Sequence, residues 1–145
     1  MTGLMGTFRH AIDDKGRLTL PGRIRDALAP EFVATKGLER CIYLYPASQW
    51  EALAAKLLAL PQMESDIRFF VRMSFGASSD CRVDGQGRVL LPPELRGYGG
   101  LDREAVIVGV GNRAEVWQPD AWARCEQEAE PRMGDIAQRL ASMGL

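Results

Sequence analysis

Apolar and polar positions alternate in short bursts along this chain, and the bursts come in two matching sets. Ile12, Leu18 and Leu20 bracket Asp13-Asp14-Lys15-Gly16-Arg17, and Val83, Val89 and Leu91 bracket Asp84-Gly85-Gln86-Gly87-Arg88. Laid over each other, residues 12–25 and 83–96 share Asp13/Asp84, Gly16/Gly87, Arg17/Arg88, Leu20/Leu91, Pro21/Pro92 and Arg25/Arg96. Ile12/Val83, Leu18/Val89 and Ile24/Leu95 stay apolar in both. A chance overlay of this length gives about one identity, because one residue type fills roughly 5–10% of positions. The match resumes after a one-residue slip at Gly37/Gly109, Tyr45/Trp117 and Trp50/Trp122. The chain therefore holds two copies of one unit.

Each copy predicts the same local elements. Asp-x-x-Gly suits a type I turn, with the Asp side chain bonding its own backbone and Gly taking positive φ. Between apolar flanks it reads as a tight hairpin with a glycine bulge, leading into strands at Arg17–Leu20 and Arg88–Leu91. Pro21 and Pro92 suit the first position of a short helix, with Ile24, Leu28 and Leu95 facing inward. A second hairpin follows in each copy. Phe32–Lys36 and Cys41–Tyr45 flank Gly37-Leu38-Glu39-Arg40, and Ala105–Val108 and Ala114–Trp117 flank Gly109-Val110-Gly111-Asn112. The unit is ββαββ, and one unit is too small to bury a core alone, so the two should pack as a pseudo-dimer.

Period-3.6 stripes mark the connecting helices. Ser48-x-x-Glu51 has capping-box form ahead of Trp50, Leu53, Ala54, Leu57 and Leu58, ending near Pro61. Ile67, Phe70, Val71 and Ser74 predict a second linker helix. Asp120 suits the cap of a helix interrupted at Pro131 and resumed with Ile136, Leu140 and Met143. The division expected is a first repeat over 7–54, a helical linker over 55–77, a second repeat over 78–126 and a helical tail over 127–145. These stripes exceed what two small units need internally, which predicts a homo-oligomer larger than a dimer.

Composition narrows the class. With 46% hydrophobic and 26% charged residues, the 145-residue chain has the make-up of a globular protein. It has no apolar run long enough to span a bilayer, and its first residues do not read as a secretory signal, so a cytoplasmic protein outside the membrane is expected. Three scattered cysteines and one histidine, His10, offer no metal-ligand spacing and no histidine-based triad. No metal, cofactor or small-molecule substrate is expected. Gly109-x-Gly111-x-x-Ala114 imitates a dinucleotide fingerprint, but a strand follows it where a helix is required. An enzyme is not expected.

The net charge of −1 is low for a protein that neutralises phosphates. The charge is unevenly spread, however. Arg9, Lys15, Arg17, Arg23 and Arg25 crowd the first quarter, and Glu126, Glu128, Glu130 and Asp135 lie near the end. Arg17 and Arg88 follow the turn glycines Gly16 and Gly87. Each either braces its hairpin against Asp13 or Asp84, or offers a planar donor to a DNA groove; the two roles are compatible. Arg25 and Arg96 suit either a phosphate contact or an exposed helix position. Lys15 and Arg9 occur only in copy one, making it the more basic.

The doubled Asp-x-x-x-Arg motif, with Tyr43-Leu44-Tyr45-Pro46 before Trp50, Arg68-Phe69-Phe70, and Gly85–Arg96, resembles the MraZ family of the AbrB/SpoVT-like group. The likeness spans roughly residues 7–125. It implies an α+β, mainly β fold: a swapped-hairpin (double-split) β-barrel built from both repeats, with linker and C-terminal helices. It also implies ring-like homo-oligomers, nucleoid-associated, that bind double-stranded DNA at short repeated elements upstream of the division and cell-wall gene cluster. On that pattern Arg17 and Arg88 contact DNA; with Lys15, Arg9, Arg25 and Arg96, read from their charge and position, they are the candidate DNA-binding residues, and Asp13, Gly16, Asp84 and Gly87 are the turn-orienting ones. The rival class is a protein-binding, antitoxin-like module of the same barrel group.

Overall fold

The computed structural model describes residues 3–145. The first copy contributes β1 (Met5–Ala11), β2 (Arg17–Thr19), α1 (Gly22–Leu28), β3 (Glu31–Lys36), β4 (Ile42–Pro46) and α2 (Ala47–Ala59). After α3 (Ser65–Gly76), the second contributes β5 (Ser79–Arg82), β6 (Arg88–Leu90), α4 (Pro93–Tyr98), β7 (Glu104–Val110), β8 (Ala114–Trp117) and α5 (Pro119–Ala129). A 3₁₀ turn at Glu130–Arg132 leads to α6 (Met133–Ala141).

The strands form one six-stranded antiparallel sheet, in order β1-β7-β8-β4-β3-β5, and a separate two-stranded ribbon of β2 and β6. That order is the same read from either end once the copies are exchanged, so the two repeats are related by a pseudo-twofold axis between β4 and β8. The fold is α+β and mainly sheet, as the two-copy pattern predicts.

The first hairpin of each copy differs from the sequence expectation. Only a single bridge closes it, Ile12 to Leu18 and Val83 to Val89. The strands then part and pair with the other copy. β1 runs beside β7 from Met5↔Val110 to Ala11↔Glu104, β5 lies beside β3, and β2 pairs with β6 through Leu18↔Val89. Three-residue strands cannot form a stable ladder by themselves. Crossing over gives them a partner and lets Leu18, Leu20, Val89 and Leu91 enter one shared core with Phe32, Ile107 and Val116. The pseudo-dimer is therefore interleaved.

Helix starts also shift. Pro21 and Pro92 are the capping residues before α1 and α4, and Pro93 takes the first turn of α4. Ile24, Leu28 and Leu95 face inward as expected. α2 begins at Ala47 after Pro46 with no side-chain cap, so Ser48 and Glu51 make no capping box. Gln118 caps α5 by accepting from the Ala121 N–H at 2.7 Å, and Asp120 sits in the first turn. Of the two linker stripes, Leu58 and Phe70 point outward, at 62% and 51% exposure. No helix among the described residues is long and apolar enough to cross a membrane.

Gly109 has a packing reason for being glycine. A β-carbon there would stand 2.2 Å from the Met5 nitrogen, so the N-terminal strand can cross only over a bare backbone. The Gly109–Ala114 segment is the β7–β8 hairpin turn.

Candidate nucleic-acid interface

Each Asp-x-x-x-Arg turn is ordered by its own aspartate. The Asp13 carboxylate accepts from the backbone N–H groups of Lys15 at 3.0 Å and Arg17 at 2.9 Å, and from Arg17 Nε at 2.6 Å. Asp84 repeats the set with Gln86 at 2.9 Å, Arg88 N–H at 2.9 Å and Arg88 Nε at 3.0 Å. Gly16 and Gly87 close the turns at φ +84° and +77°, a region that favours glycine. Both carboxyls are held below the usual aspartate range, mainly by the backbone N–H of Arg17 for Asp13 and of Arg88 for Asp84. An ionised carboxylate at each turn fixes a guanidinium by its Nε edge and leaves its terminal nitrogens less engaged.

The β2–β6 ribbon brings the two turns together. Its inner face is Leu18 and Val89, both buried. Strand alternation puts Arg17, Thr19, Arg88 and Leu90 on the outer face, with Arg17 opposite Leu90 and Thr19 opposite Arg88. Arg88 Nη1 also comes within 3.9 Å of the Asp13 carboxylate, so the two motifs share charge across the pseudo-twofold.

Arg25 and Arg96 join this cluster by crossing to the other copy's turn. A β-carbon on Gly87 would lie 2.9 Å from Arg25 Nη1, and one on Gly16 would lie 2.5 Å from Arg96 Cζ. The Leu20 N–H donates to the Gly87 carbonyl at 3.0 Å and the Leu91 N–H to the Gly16 carbonyl at 3.1 Å, locking the turns reciprocally. Arg96 Nε donates to the Leu91 carbonyl at 3.0 Å, and Arg25 Nε lies 3.7 Å from Asp26. Sequence reasoning placed this pair on a helix; the crossing is invisible without the strand exchange.

Of the six cations singled out in the sequence, four arginines gather on this one ribbon, Arg17 with Arg96 at one end and Arg88 with Arg25 at the other, and Lys15 stands exposed in the first turn. Arg9 stands apart from that pattern. It lies on β1, where Nε pairs with Glu104 of β7 at 3.1 Å, so part of its charge is already answered.

Two features went unread in the sequence. Arg113 in the β7–β8 turn donates to the Glu115 carboxylate at 2.6 Å and stacks 4.3 Å over the Tyr43 ring, while Trp117 Nε1 donates to Glu115 at 3.0 Å. Arg113 and Glu115 stand two apart in the chain; that spacing was the available signal. The second is a groove beside Tyr43 that exposes Phe69, Phe70 and Met73.

Comparison with known proteins follows the same twofold division. The family model described as "MraZ protein, putative antitoxin-like" matches the chain twice, over residues 4–73 and 74–142. The chain belongs to the MraZ family. Members named "Transcriptional regulator MraZ" align along almost all of it. The protein of Desulfitobacterium hafniense (strain DSM 10664 / DCB-2) is 45% identical, covering 97% of this chain and 99% of its own. That of Thermomicrobium roseum is 47% identical over 96% and 98%, and that of Syntrophomonas wolfei 40% over 97% and 99%. The doubled turn motif is thus read within a MraZ frame.

Proposed function

We propose that this chain is a non-enzymatic, sequence-specific transcription regulator. It binds double-stranded DNA through the outer face of the β2–β6 ribbon. The observation that carries the reading is the gathering of Arg17, Arg88, Arg25 and Arg96 on one short ribbon, a pair at each end beside an aspartate-ordered turn. A two-stranded ribbon fits the major groove, and arginine pairs bidentately with guanine O6 and N7. Asp13 and Asp84 preorganise the arginines, lowering the cost of ordering them on binding. Lys15 extends the patch toward phosphate, and Arg9 contributes less because Glu104 shares it.

Strand exchange between the copies also supports a swapped-hairpin barrel as the description of the whole, with repeats over 7–54 and 78–126, a linker over 55–77 and a tail over 127–145. The net charge of −1 asks for avidity, since a few cations per protomer bind weakly at cellular salt. A homo-oligomer engaging short repeated promoter elements gains ~10²–10⁴ without new contacts. The family resemblance points to elements upstream of the division and cell-wall gene cluster, and to action on the nucleoid in the cytoplasm.

The experiment is a footprint of the purified protein on its own upstream region, with gel-shift titration of the protected segment. Protection of regularly spaced short elements supports the reading. Absence of protection, together with retention of a stoichiometric partner protein, supports the antitoxin-like alternative that the family description carries.

A further inference from the structure

The groove next to the first repeat's second hairpin has a volume of about 770 Å³. Tyr43, Tyr45 and Trp50 form its floor and Phe69, Phe70 and Met73 of α3 form a wall. The wall residues are 60%, 51% and 55% exposed, an unusual concentration of bare apolar surface. Its rim is basic. Lys36 lines it with Arg113, whose charge Glu115 shares, Arg72 stacks on Phe69 at 5.8 Å, and Arg40 lies 5.0 Å over Tyr98, another lining residue. Asp66 is the one acidic residue among the described residues that line it.

At the other end of the chain, α6 carries Met133, Ile136 and Leu140, with Met143 just beyond it, spaced three, four and three apart on a single stripe. α6 and α3 hold the same place in the two copies, each following the helix that carries the repeated tryptophan, Trp50 or Trp122. α3 docks on β3, where its Ser74 carbonyl accepts from Thr35 Oγ1 at 3.1 Å. α6 packs against the 3₁₀ turn before it, and Met133 and Met143 remain 58% and 77% exposed. The twin helix is seated on the sheet; α6 has its main contacts with that turn, and Ile136 and Leu140 between the two methionines are half-buried.

We propose that the open groove of one chain receives the α6 stripe of a second copy, in a head-to-tail contact. The inference rests on the homo-oligomer reading above and names the surfaces that build it. Apolar helix and apolar groove match in kind, as in helix-in-groove recognition. Charge matches too: Glu126, Glu128, Glu130 and Asp135 outnumber Arg132 and Arg139 along the segment that runs into and through α6, and they meet the basic rim. Because groove and helix are different surfaces, each bound copy still offers one of each, so the contact propagates until it closes.

Head-to-tail contacts make a mixing test possible. In the full-length chain, Ile136→Asp with Leu140→Asp removes the helix stripe, and Phe69→Asp with Met73→Asp removes the groove wall. By light scattering the wild type runs as a multiple of 16.0 kDa, and each variant alone runs at 16.0 kDa. Mixed one to one, the variants have one good groove and one good helix between them, and form a species of twice the chain mass and no more. A peptide of residues 126–145, added in excess to the wild type, splits its assembly, which keeps the test independent of how the variants fold. Wild-type mass in either folded variant, a mixture that stays monomeric, or an assembly indifferent to the peptide overturns the contact while leaving self-association intact. A monomeric wild type overturns self-association itself.

Discussion

Replacing Arg17 and Arg88 with alanine separates bracing from DNA contact, and the geometry sets the size of each effect. Both guanidiniums bind their own turn aspartate through Nε, and their side chains are 32% and 26% exposed. Partly exposed ion pairs add little stability, and the aspartates keep their backbone N–H partners when the arginines go. Ile12–Leu18 and Val83–Val89 still close the turns. The melting temperature of the double variant should therefore fall by about 4 °C or less. A lost base contact weakens binding roughly tenfold to a hundredfold, and an oligomer multiplies the loss. The two sites should be unequal. Arg88 divides its charge between Asp84 at 3.0 Å and Asp13 at 3.9 Å, whereas Arg17 is paired with Asp13 alone and neighbours the exposed Lys15. Arg17→Ala should thus weaken binding more than Arg88→Ala. The assay is gel-shift titration at fixed salt, paired with thermal melts. Wild-type affinity in a folded double variant would show that the interface lies elsewhere.

Gly16→Ala forces a β-carbon into a left-handed backbone and within 2.5 Å of Arg96 Cζ; a cost of about 1–2 kcal/mol for the backbone alone is expected in urea unfolding, and wild-type stability in that variant would contradict it. Lys15→Ala should weaken binding similarly across DNA sequences and flatten the salt dependence by about one counterion, as a phosphate contact does; a change in base preference instead would make it a reader. Asp13 and Asp84 have carboxyls depressed in the folded chain, so their contribution is present above the unfolded aspartate value of about 3.9 and is lost as pH falls through the lower folded values. Urea midpoints should therefore hold from about pH 7 to 5 and drop toward about pH 3, with a smaller drop in the Asp13→Asn, Asp84→Asn double variant; identical acid profiles would remove the turns from the cause.

Much of what depends on neighbours in the chain was legible in the sequence, the Arg113–Glu115 pair and the missing Ser48–Glu51 cap excepted. Asp13 reaches Lys15 and Arg17, and Gly16 turns at +84°, within five residues, so spacing alone carries the turn. The pairs Phe32–Lys36 with Ile42–Pro46 and Glu104–Val110 with Ala114–Trp117 are hairpins for the same reason. Partner choice between copies was not legible from the residues. Since Ile12/Val83 and Leu18/Val89 are interchangeable apolar residues, the pattern fits a hairpin closed within one copy as well as one opened and exchanged. What decides is length: three-residue β2 and β6 gain a ladder and a common core only from each other. The site inherits that choice. Arg25 and Arg96 sit eight residues beyond Arg17 and Arg88 in their own copies, and along a single copy each is an ordinary helix charge. Exchange lays each against the opposite turn glycine, and a sparse set of arginines becomes one patch on a chain whose net charge is negative.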